Sequence, residues 1–197
     1  LEGDLLSGKG RAYGIEFYLQ KKTGKFNGWV SYTLGRTELK VDGINNGEWY
    51  AARYDQLHNL KITGFYDLSK RWSLSGNFVL TSGTPTTFPT SYILVQGVPI
   101  PYNEDGSRNN VRLPAYHRLD LSARLEGKEF NKHGKKRKNT DYWVFSIYNV
   151  YAHKNPFSIY FSQADQRFVP GQTINTNATQ LSIIGTMVPS VSYNFKF

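Results

Sequence analysis

Cysteine is absent from the 197-residue chain. Without it, the protein can form neither a disulfide bond nor a thiolate metal site. The sequence also lacks any run approaching the roughly 20 apolar residues that a membrane helix needs, which excludes a helical membrane protein. Neither an initiator methionine nor a basic-apolar signal peptide stands at the start, so we expect a processed chain or a piece of a longer one.

Aromatic residues and glycine are plentiful. The chain has 14 tyrosines, 12 phenylalanines, 4 tryptophans and 18 glycines, a composition that favours strands and turns over helices. Its mean hydropathy of −0.51 is that of a soluble protein. This value does not exclude a membrane β-barrel, because strands that alternate apolar and polar residues average to such a composition.

The stretch VSYNFKF at 191–197 places an apolar side chain at every second position. The alternation extends back to Gln180, and successive strand side chains point to opposite faces. The pattern therefore predicts one strand over 180–197, about 18 residues against a usual five or six. Long strands with two different faces are typical of outer-membrane barrels. Pro189 cannot donate to the ladder, so we expect a bulge or bend there.

Seven segments in all have the pattern of strands. In six of these segments, alternation assigns an apolar and a polar face. The seventh, 141–153, is apolar on both parities, and its faces stay unassigned. The predicted strands are 11–22, 26–37, 58–67, 72–82, 117–126, 141–153 and 180–197.

The predicted connections alternate between short and long. Outer-membrane barrels have short periplasmic turns and long outer loops, and every short connection here falls on the side of Phe197. Bacterial barrels of this kind have an even number of strands, so seven strands predict the carboxyl-terminal part of a larger barrel. The short turns are predicted at 23–25, 68–71 and 128–138, and the long loops near 38–57, 83–115 and 154–179.

One basic cluster stands out in a chain whose formal net charge is +9. Such clusters are found in nucleic-acid-binding and nuclear-localisation segments. No recognition helix or interleaved stacking motif accompanies it, so we interpret it as a solvated turn and expect no nucleic-acid partner. The cluster consists of Lys128, Lys132, Lys135, Lys136, Arg137 and Lys138.

Five stretches resemble, in order and spacing, the last third of TonB-dependent outer-membrane receptors, especially those of the Bacteroidota. The resemblance covers nearly all of residues 1–197. The stretches are GKGRAYGIEFYLQKKTGKFNGWVSYTLGRT, ARYDQLHNLKI, LPAYHRLDLSA, FSIYNVYAHKNPFSIYF and VSYNFKF.

This resemblance implies an all-β fold, an antiparallel transmembrane barrel of about 22 strands with an amino-terminal plug domain. The chain would supply the sixteenth to the twenty-second strand, and the plug and TonB box would lie outside it. The implied activity is import of a large or scarce nutrient, such as a siderophore, cobalamin, glycan or peptide. The implied location is the outer membrane. The implied partners are outer-membrane lipid and, through the missing part, TonB. A surface lipoprotein caps some relatives, and the resemblance leaves open whether this chain has such a partner.

The terminal aromatics have a counterpart in the same family. Tyr193, Phe195 and Phe197 resemble the signal that the barrel assembly machinery reads. A free strand edge with an apolar face can pair with the open edge of that machinery. The alternative is that these side chains only face lipid and the membrane interface.

Several polar residues are candidates for the rim or the lumen of the barrel. Asp55 and His58 match an Asp-x-x-His element common in the family, and we interpret them as hydrogen-bonding partners at the rim or in the lumen. Arg118, Asp120 and Arg124 share the polar face of one predicted strand. Lumen charges generally pair with one another or with a plug, so we expect a structural role for them.

Candidate ligand contacts are the aromatic residues of the outer loops, which can stack on a sugar or a siderophore. Self-packing of the loops is an equal alternative. The four histidines lack metal-ligand spacing, and NEDGSRNN at 103–110 lacks the regular ligands of a calcium loop. With no nucleophile–base pair or carboxylate dyad either, we expect no catalytic residue, metal or cofactor. The aromatic candidates are Trp49, Tyr50, Phe88, Tyr92 and Tyr102.

Two other interpretations stay open. One is a small self-contained outer-membrane barrel of eight strands, acting as an adhesin or structural protein, although LEGDLLSGKG at 1–10 is poorly suited to the additional strand. The other is a secreted β-sandwich that binds glycans through aromatic loops. Long strands with apolar faces that reach the terminal aromatics argue against the sandwich.

Overall fold

The computed structural model describes residues 6–96, 98–103, 106–163 and 176–197. The fold is all-β, with 61% of the residues in strands and no α-helix in these ranges. A short 3-10 turn lies at Asn45–Gly47. No helix within the described ranges is long and apolar enough to cross a membrane.

The described residues form fourteen strands. Seven of them are long, and the rest are short strands inside the longer connections. The strands are β1 (Gly8–Lys21), β2 (Phe26–Val41), β3 (Tyr50–Ala51), β4 (His58–Asp67), β5 (Trp72–Thr81), β6 (Pro85–Thr86), β7 (Ser91–Val95), β8 (Val98–Tyr102), β9 (Val111–Arg112), β10 (Tyr116–Glu126), β11 (Thr140–Tyr148), β12 (Ser158–Gln163), β13 (Thr176–Leu181) and β14 (Val188–Lys196).

The long strands form one antiparallel sheet in the order β1-β2-β4-β5-β10-β11-β14, with β3 paired to β2. Each long strand lies beside the long strands that precede and follow it in the chain. The short strands form three separate pairs, β6 with β9, β7 with β8, and β12 with β13. The main sheet does not close: within the described residues, β1 and β14 are each paired on one side only.

The registers of neighbouring strands align their apolar positions. One row runs Leu19, Val30, Ile62, Phe78 and Leu119 across five strands. On the opposite face, Trp29 is followed across the sheet by the polar residues Thr63, Asn77 and Asp120. The faces of β11, which the sequence left unassigned, follow from its register with β10: Trp143, Phe145 and Ile147 lie on the apolar face.

No protein layer covers the apolar face within the described residues. Leu19 is 74% exposed, Val191 61% and Phe17 60%. The buried hydrophobic residues of the described chain are Ile44, Tyr50, Ala51 and Ala52, all in the connection between β2 and β4. The core therefore lies among the connections at one end of the sheet rather than under its apolar face.

The short connections all lie at the other end of the sheet. They join β1 to β2, β4 to β5 and β10 to β11, as predicted. Gly24 occupies the first of these turns with φ of 93°, a conformation that glycine adopts without steric cost. We call this end of the sheet the turn end, and the end with the long connections the loop end.

The predicted strand at 58–67 is confirmed with the same bounds, and four others are confirmed within four residues at either end. The predicted strand at 141–153 ends early, at Tyr148, because Asn149 and Ala152 adopt positive φ of 55° and 53° and turn the chain. The predicted long loops contain six short strands, and a seventh, β13, extends from the last of these loops into the predicted final strand.

The single strand predicted over 180–197 is wrong. β13 ends at Leu181 and β14 begins at Val188, so residues 182–187 separate two strands. β13 pairs with β12, and the side chain of Asn149 donates to the carbonyl of Thr186, which holds the intervening segment away from a strand ladder. The bulge expected at Pro189 is absent, since its register with β11 is continuous. β14 is an edge strand in the described sheet, where proline is tolerated.

Candidate functional site at the loop end

A buried carboxylate anchors the loop end of the sheet. Asp55 is 1% exposed, and its carboxylate pairs with the guanidinium of Arg112 on β9. The guanidinium of Arg36 on β2 lies 3.7 Å away, and the backbone N–H of Thr37 donates to Asp55. A buried carboxylate requires such partners, because transferring a carboxylate from water to the protein interior without a partner costs several kcal/mol.

A second carboxylate continues the network toward β1. Glu38, also buried, pairs with Arg11 at 2.7 Å and with Arg36 at 3.2 Å. The Arg11 guanidinium also lies over the ring of Trp49, 4.2 Å from its centroid. Alternation along β2 places Arg36 and Glu38 on the same face, which is why Arg36 can contact Glu38 as well as Asp55.

Asparagines hold the long connections together. The side chain of Asn45 accepts from the backbone N–H of Arg108 at 2.6 Å and donates to its carbonyl at 3.0 Å. The side chain of Asn109 donates to the carbonyl of Ala51 at 2.7 Å. The connection between β2 and β4 is thereby fixed against the one between β5 and β10.

A cleft of about 960 Å³ opens between these connections. Its walls combine aromatic rings with amide and guanidinium groups. We call it the loop-end cleft. Among its lining residues are Leu39, Ile44, Tyr50, Arg53, Tyr54, Pro101, Tyr102, Asn103, Arg108, Asn109 and Phe161.

Arg53 and Arg108 differ from the other described arginines. Neither guanidinium has a hydrogen bond or ion pair within the described residues, and both line the loop-end cleft. The other arginines contact carboxylates or, for Arg71, a backbone carbonyl. These are Arg11, Arg36, Arg71, Arg112, Arg118, Arg124 and Arg137.

A second polar cluster lies on the polar face of β10. Arg118 pairs with Asp120 at 2.9 Å and donates to the hydroxyls of Tyr116 and Tyr148. The backbone N–H of Asn149 donates to Asp120 at 3.0 Å. Every charged group of this cluster is satisfied internally, which favours a structural role.

His117, Tyr151 and His153 form a ring cluster beside it. The His117 and His153 rings stack with centroids 3.7 Å apart, and the Tyr151 hydroxyl lies 2.8 Å from Nδ1 of His117. Burial and then the nearby Asp120 carboxylate raise the pKa of Tyr151, so its hydroxyl keeps its proton at neutral pH. Within the described residues, no group of three histidine or carboxylate side chains can hold a metal ion.

The structure separates Asp55 from His58. Asp55 belongs to the arginine network, whereas Nδ1 of His58 lies 2.8 Å from the hydroxyl of Tyr32 on the apolar face. The predicted charge cluster on β10 is also divided. Arg118 pairs with Asp120, but Arg124 pairs with Glu126 at 2.6 Å.

Two of the predicted aromatic candidates line the loop-end cleft, Tyr50 and Tyr102. Trp49 is stacked by Arg11, and Phe88 packs edge-on against Phe161 at 4.7 Å. Tyr92 lies on β7 and does not line the cleft. The segment proposed to lack calcium ligands, 103–110, falls partly outside the described residues.

The terminal aromatics form a continuous row of rings. Tyr193 lies 4.8 Å from Trp143 and 6.0 Å from Phe195, and Phe195 lies 5.2 Å from Phe197, measured between ring centroids. All four rings are at the turn end. Tyr193 and Phe195 are exposed on the apolar face.

Sequence reasoning missed Glu38, Arg112, Arg53 and Arg108. One signal was present for Glu38, since Arg36 and Glu38 interrupt an apolar parity at the end of a strand. No local signal marks the three arginines, because their surroundings are set by contacts between separate connections. Comparison of the chain with known protein families, curated proteins and solved structures gives no match.

Proposed function

We propose that the chain forms part of the wall and the outer loops of a TonB-dependent import receptor in the bacterial outer membrane. In this proposal residues 1–197 are the carboxyl-terminal part of a larger barrel. The apolar face contacts lipid, the polar face lines the lumen, and the loop end faces outward. The protein binds and imports a nutrient, without cofactor or enzymatic step.

The observation that carries the proposal is the uncovered apolar face. It extends across all seven long strands, and many of its large side chains are more than a third exposed. Soluble proteins rarely expose apolar patches of more than a few hundred Å². Hydrocarbon on this face and water on the other fit the alternation that membrane strands require.

The open sheet edges support a barrel larger than seven strands. β1 is 14 residues long and β14 is 9, and each lacks a neighbour on one side within the described residues. An unpaired backbone group in lipid costs several kcal/mol, so both edges need further strands. A glycan-binding sandwich would need a second sheet on the apolar face, and the described chain contains none there.

The loop-end cleft supports the receptor role. Its size suits a small-molecule ligand, and aromatic walls with a few polar groups are typical of such sites. In this proposal, aromatic and guanidinium groups of the cleft contact the nutrient before transport. TonB acts through a plug domain outside this chain. Tyr193, Phe195 and Phe197 serve the assembly machinery.

Paired cysteine variants test the orientation of the faces. The chain contains no cysteine, so Ile62→Cys and its neighbour Thr63→Cys place single thiols on opposite faces of β4. We expect a water-soluble maleimide to label Thr63→Cys in outer membranes, and Ile62→Cys to react only with a lipid-soluble reagent. Equal labelling of both by the water-soluble reagent would contradict a lipid-facing apolar surface.

The size of the native protein tests the larger barrel. An antibody against 128–138 is used to blot isolated outer membranes, with boiled and unboiled samples. A membrane band far above 22.5 kDa with heat-dependent mobility supports the receptor. A membrane band near 22.5 kDa favours a small barrel instead, and a soluble band of that size favours the sandwich.

A further inference from the structure

The positive charge of the chain is concentrated at the turn end. The segments 21–26, 67–72, 126–141 and 196–197 contain twelve lysines and arginines and four acidic residues, a formal side-chain charge of +8 out of +9 for the whole chain. The rest of the chain is almost neutral. The asymmetry therefore belongs to one end of the sheet rather than to the protein as a whole.

These charges extend across the sheet. They occupy all three short turns and the end of β14, which lie at intervals from the first long strand to the last. Seven strands at a spacing of about 4.8 Å span about 29 Å. A row of charges this wide matches an extended anionic surface better than it matches a single small ligand.

Most of these cations have no acidic partner among the described residues. Lys136 pairs with Glu129 at 3.3 Å, and Arg137 with Asp141 at 2.6 Å. At the loop end, by contrast, Arg11, Arg36 and Arg112 are bound to buried carboxylates. The turn-end lysines without an ion pair within the described residues are Lys21, Lys22, Lys25, Lys70, Lys128, Lys132, Lys135, Lys138 and Lys196.

Aromatic side chains lie beside the charges on the apolar face. Tryptophan and tyrosine concentrate where a membrane-spanning surface meets the headgroups, and lysine side chains reach from there to the lipid phosphates. A nucleic-acid site would need rings interleaved with the basic residues instead. The aromatic residues are Phe26, Tyr66, Trp72, Trp143, Tyr193 and Phe195.

We propose that the turn end binds the headgroups of anionic phospholipids in the membrane leaflet next to it. The lysines of the three turns contact the phosphates, and the aromatic row fixes the depth of the sheet below them. The orientation in a membrane rests on the proposed function, whereas the lipid preference rests on the charges. Each lysine near an anionic surface adds attraction that falls with ionic strength.

The test uses the native protein that contains this chain, purified in detergent and mixed with phosphatidylglycerol or phosphatidylcholine. Bound lipid is counted by native mass spectrometry. The variant carries Lys132, Lys135, Lys136 and Lys138→Gln. The control removes the same charge elsewhere, through Lys9, Lys40, Lys61 and Lys154→Gln.

We expect the unmodified protein to prefer phosphatidylglycerol. The turn-end variant should lose about tenfold of that preference at low salt, and the control less than twofold. Equal losses in the two variants, or no preference in the unmodified protein, would overturn the proposal. So would displacement of the lipid by millimolar inorganic phosphate or by a single-stranded oligonucleotide, which would assign the surface to those ligands.

Failure of the membrane proposal gives a different result. Extraction of membranes with carbonate separates inserted protein from peripherally bound protein. In one outcome, carbonate releases the protein while the phosphatidylglycerol preference persists and depends on the turn-end lysines. That result would support the lipid-binding site and contradict the proposal that the chain forms a barrel wall. Heat-dependent mobility of both variants shows that each has folded.

Discussion

The carboxylate of Asp55 is paired with the guanidinium of Arg112, 57 residues further along the chain. The two residues belong to different long connections, and the pair closes the loop end of the sheet. Removing this carboxylate leaves the guanidinium of Arg112, whose side chain is 31% exposed, without its partner. We expect Asp55→Asn to lower the free energy of unfolding by about 1–3 kcal/mol, because water can reach that guanidinium.

The measurement is urea unfolding of the purified protein. Glu129→Gln is the control, because the Glu129–Lys136 pair is exposed, and exposed pairs contribute about 0–1 kcal/mol. Similar losses for both variants would mean that the burial of Asp55 does not carry the effect.

Gly28 is required by backbone geometry at a crowded position of β2. Its φ is 152°, and a Cβ atom there would lie 2.2 Å from the carbonyl oxygen of Thr63. We expect Gly28→Ala to cost about 1–3 kcal/mol of stability. Gly35→Ala on the same strand is the control, since its Cβ would meet no atom closer than 3.7 Å. The measurement is thermal unfolding of both variants. A loss of stability in Gly35→Ala equal to that in Gly28→Ala would contradict the steric argument.

Asn149 connects the end of β11 to the segment before β14. Its side chain is fully buried, donates to the carbonyls of His153 and Thr186, and accepts from the backbone N–H of His153. We expect Asn149→Ala to destabilise the protein by about 3 kcal/mol, because it leaves buried polar groups unpaired.

Asn131→Ala serves as the control for that variant. Its side chain accepts two backbone N–H groups, but in an exposed turn where water can replace it. Denaturant midpoints measured in parallel should differ clearly; coincident midpoints would show that Asn149 is dispensable.

Arg53 and Arg108 should matter for ligand binding and not for folding. We expect the double variant Arg53→Gln and Arg108→Gln to keep the melting temperature and surface level of the unmodified protein. Under the proposed function, the nutrient concentration that gives half-maximal growth should rise at least tenfold, since two charge-assisted contacts are lost. Arg112→Gln, which breaks the pair with Asp55, should lower the melting temperature instead. A destabilised double variant would indicate a structural role.

Phe197 should affect assembly more than stability. It is 88% exposed and contacts Phe195 edge-on. Under the proposed function, we expect Phe197→Ser to reduce severalfold the amount of folded protein in outer membranes, without changing the unfolding of purified protein. Phe157→Ser, another exposed aromatic, controls for lost apolar surface. Equal yields of the two variants would remove the assembly role from the terminal residue.

Local pattern was sufficient for most of the sheet. The bounds of β4 follow from alternation alone, because each residue's face depends only on its parity along the strand. The same rule failed at 180–197. There the parity continues by chance across residues 182–187, while the buried side chain of Asn149 binds the carbonyl of Thr186 and keeps that segment out of the ladder.

The sequence by itself determined five of the seven long strands (β1, β2, β4, β5 and β10), their two faces and the placement of the short turns at one end. These features depend on neighbours within a few residues. Only the tertiary structure decided that Asp55 meets Arg112 and that β13 and β14 are separate strands. It also decided that Arg53 and Arg108 share a cleft without an ion pair to any described residue. Such relationships depend on strand register and on contacts between distant connections, which no local pattern specifies.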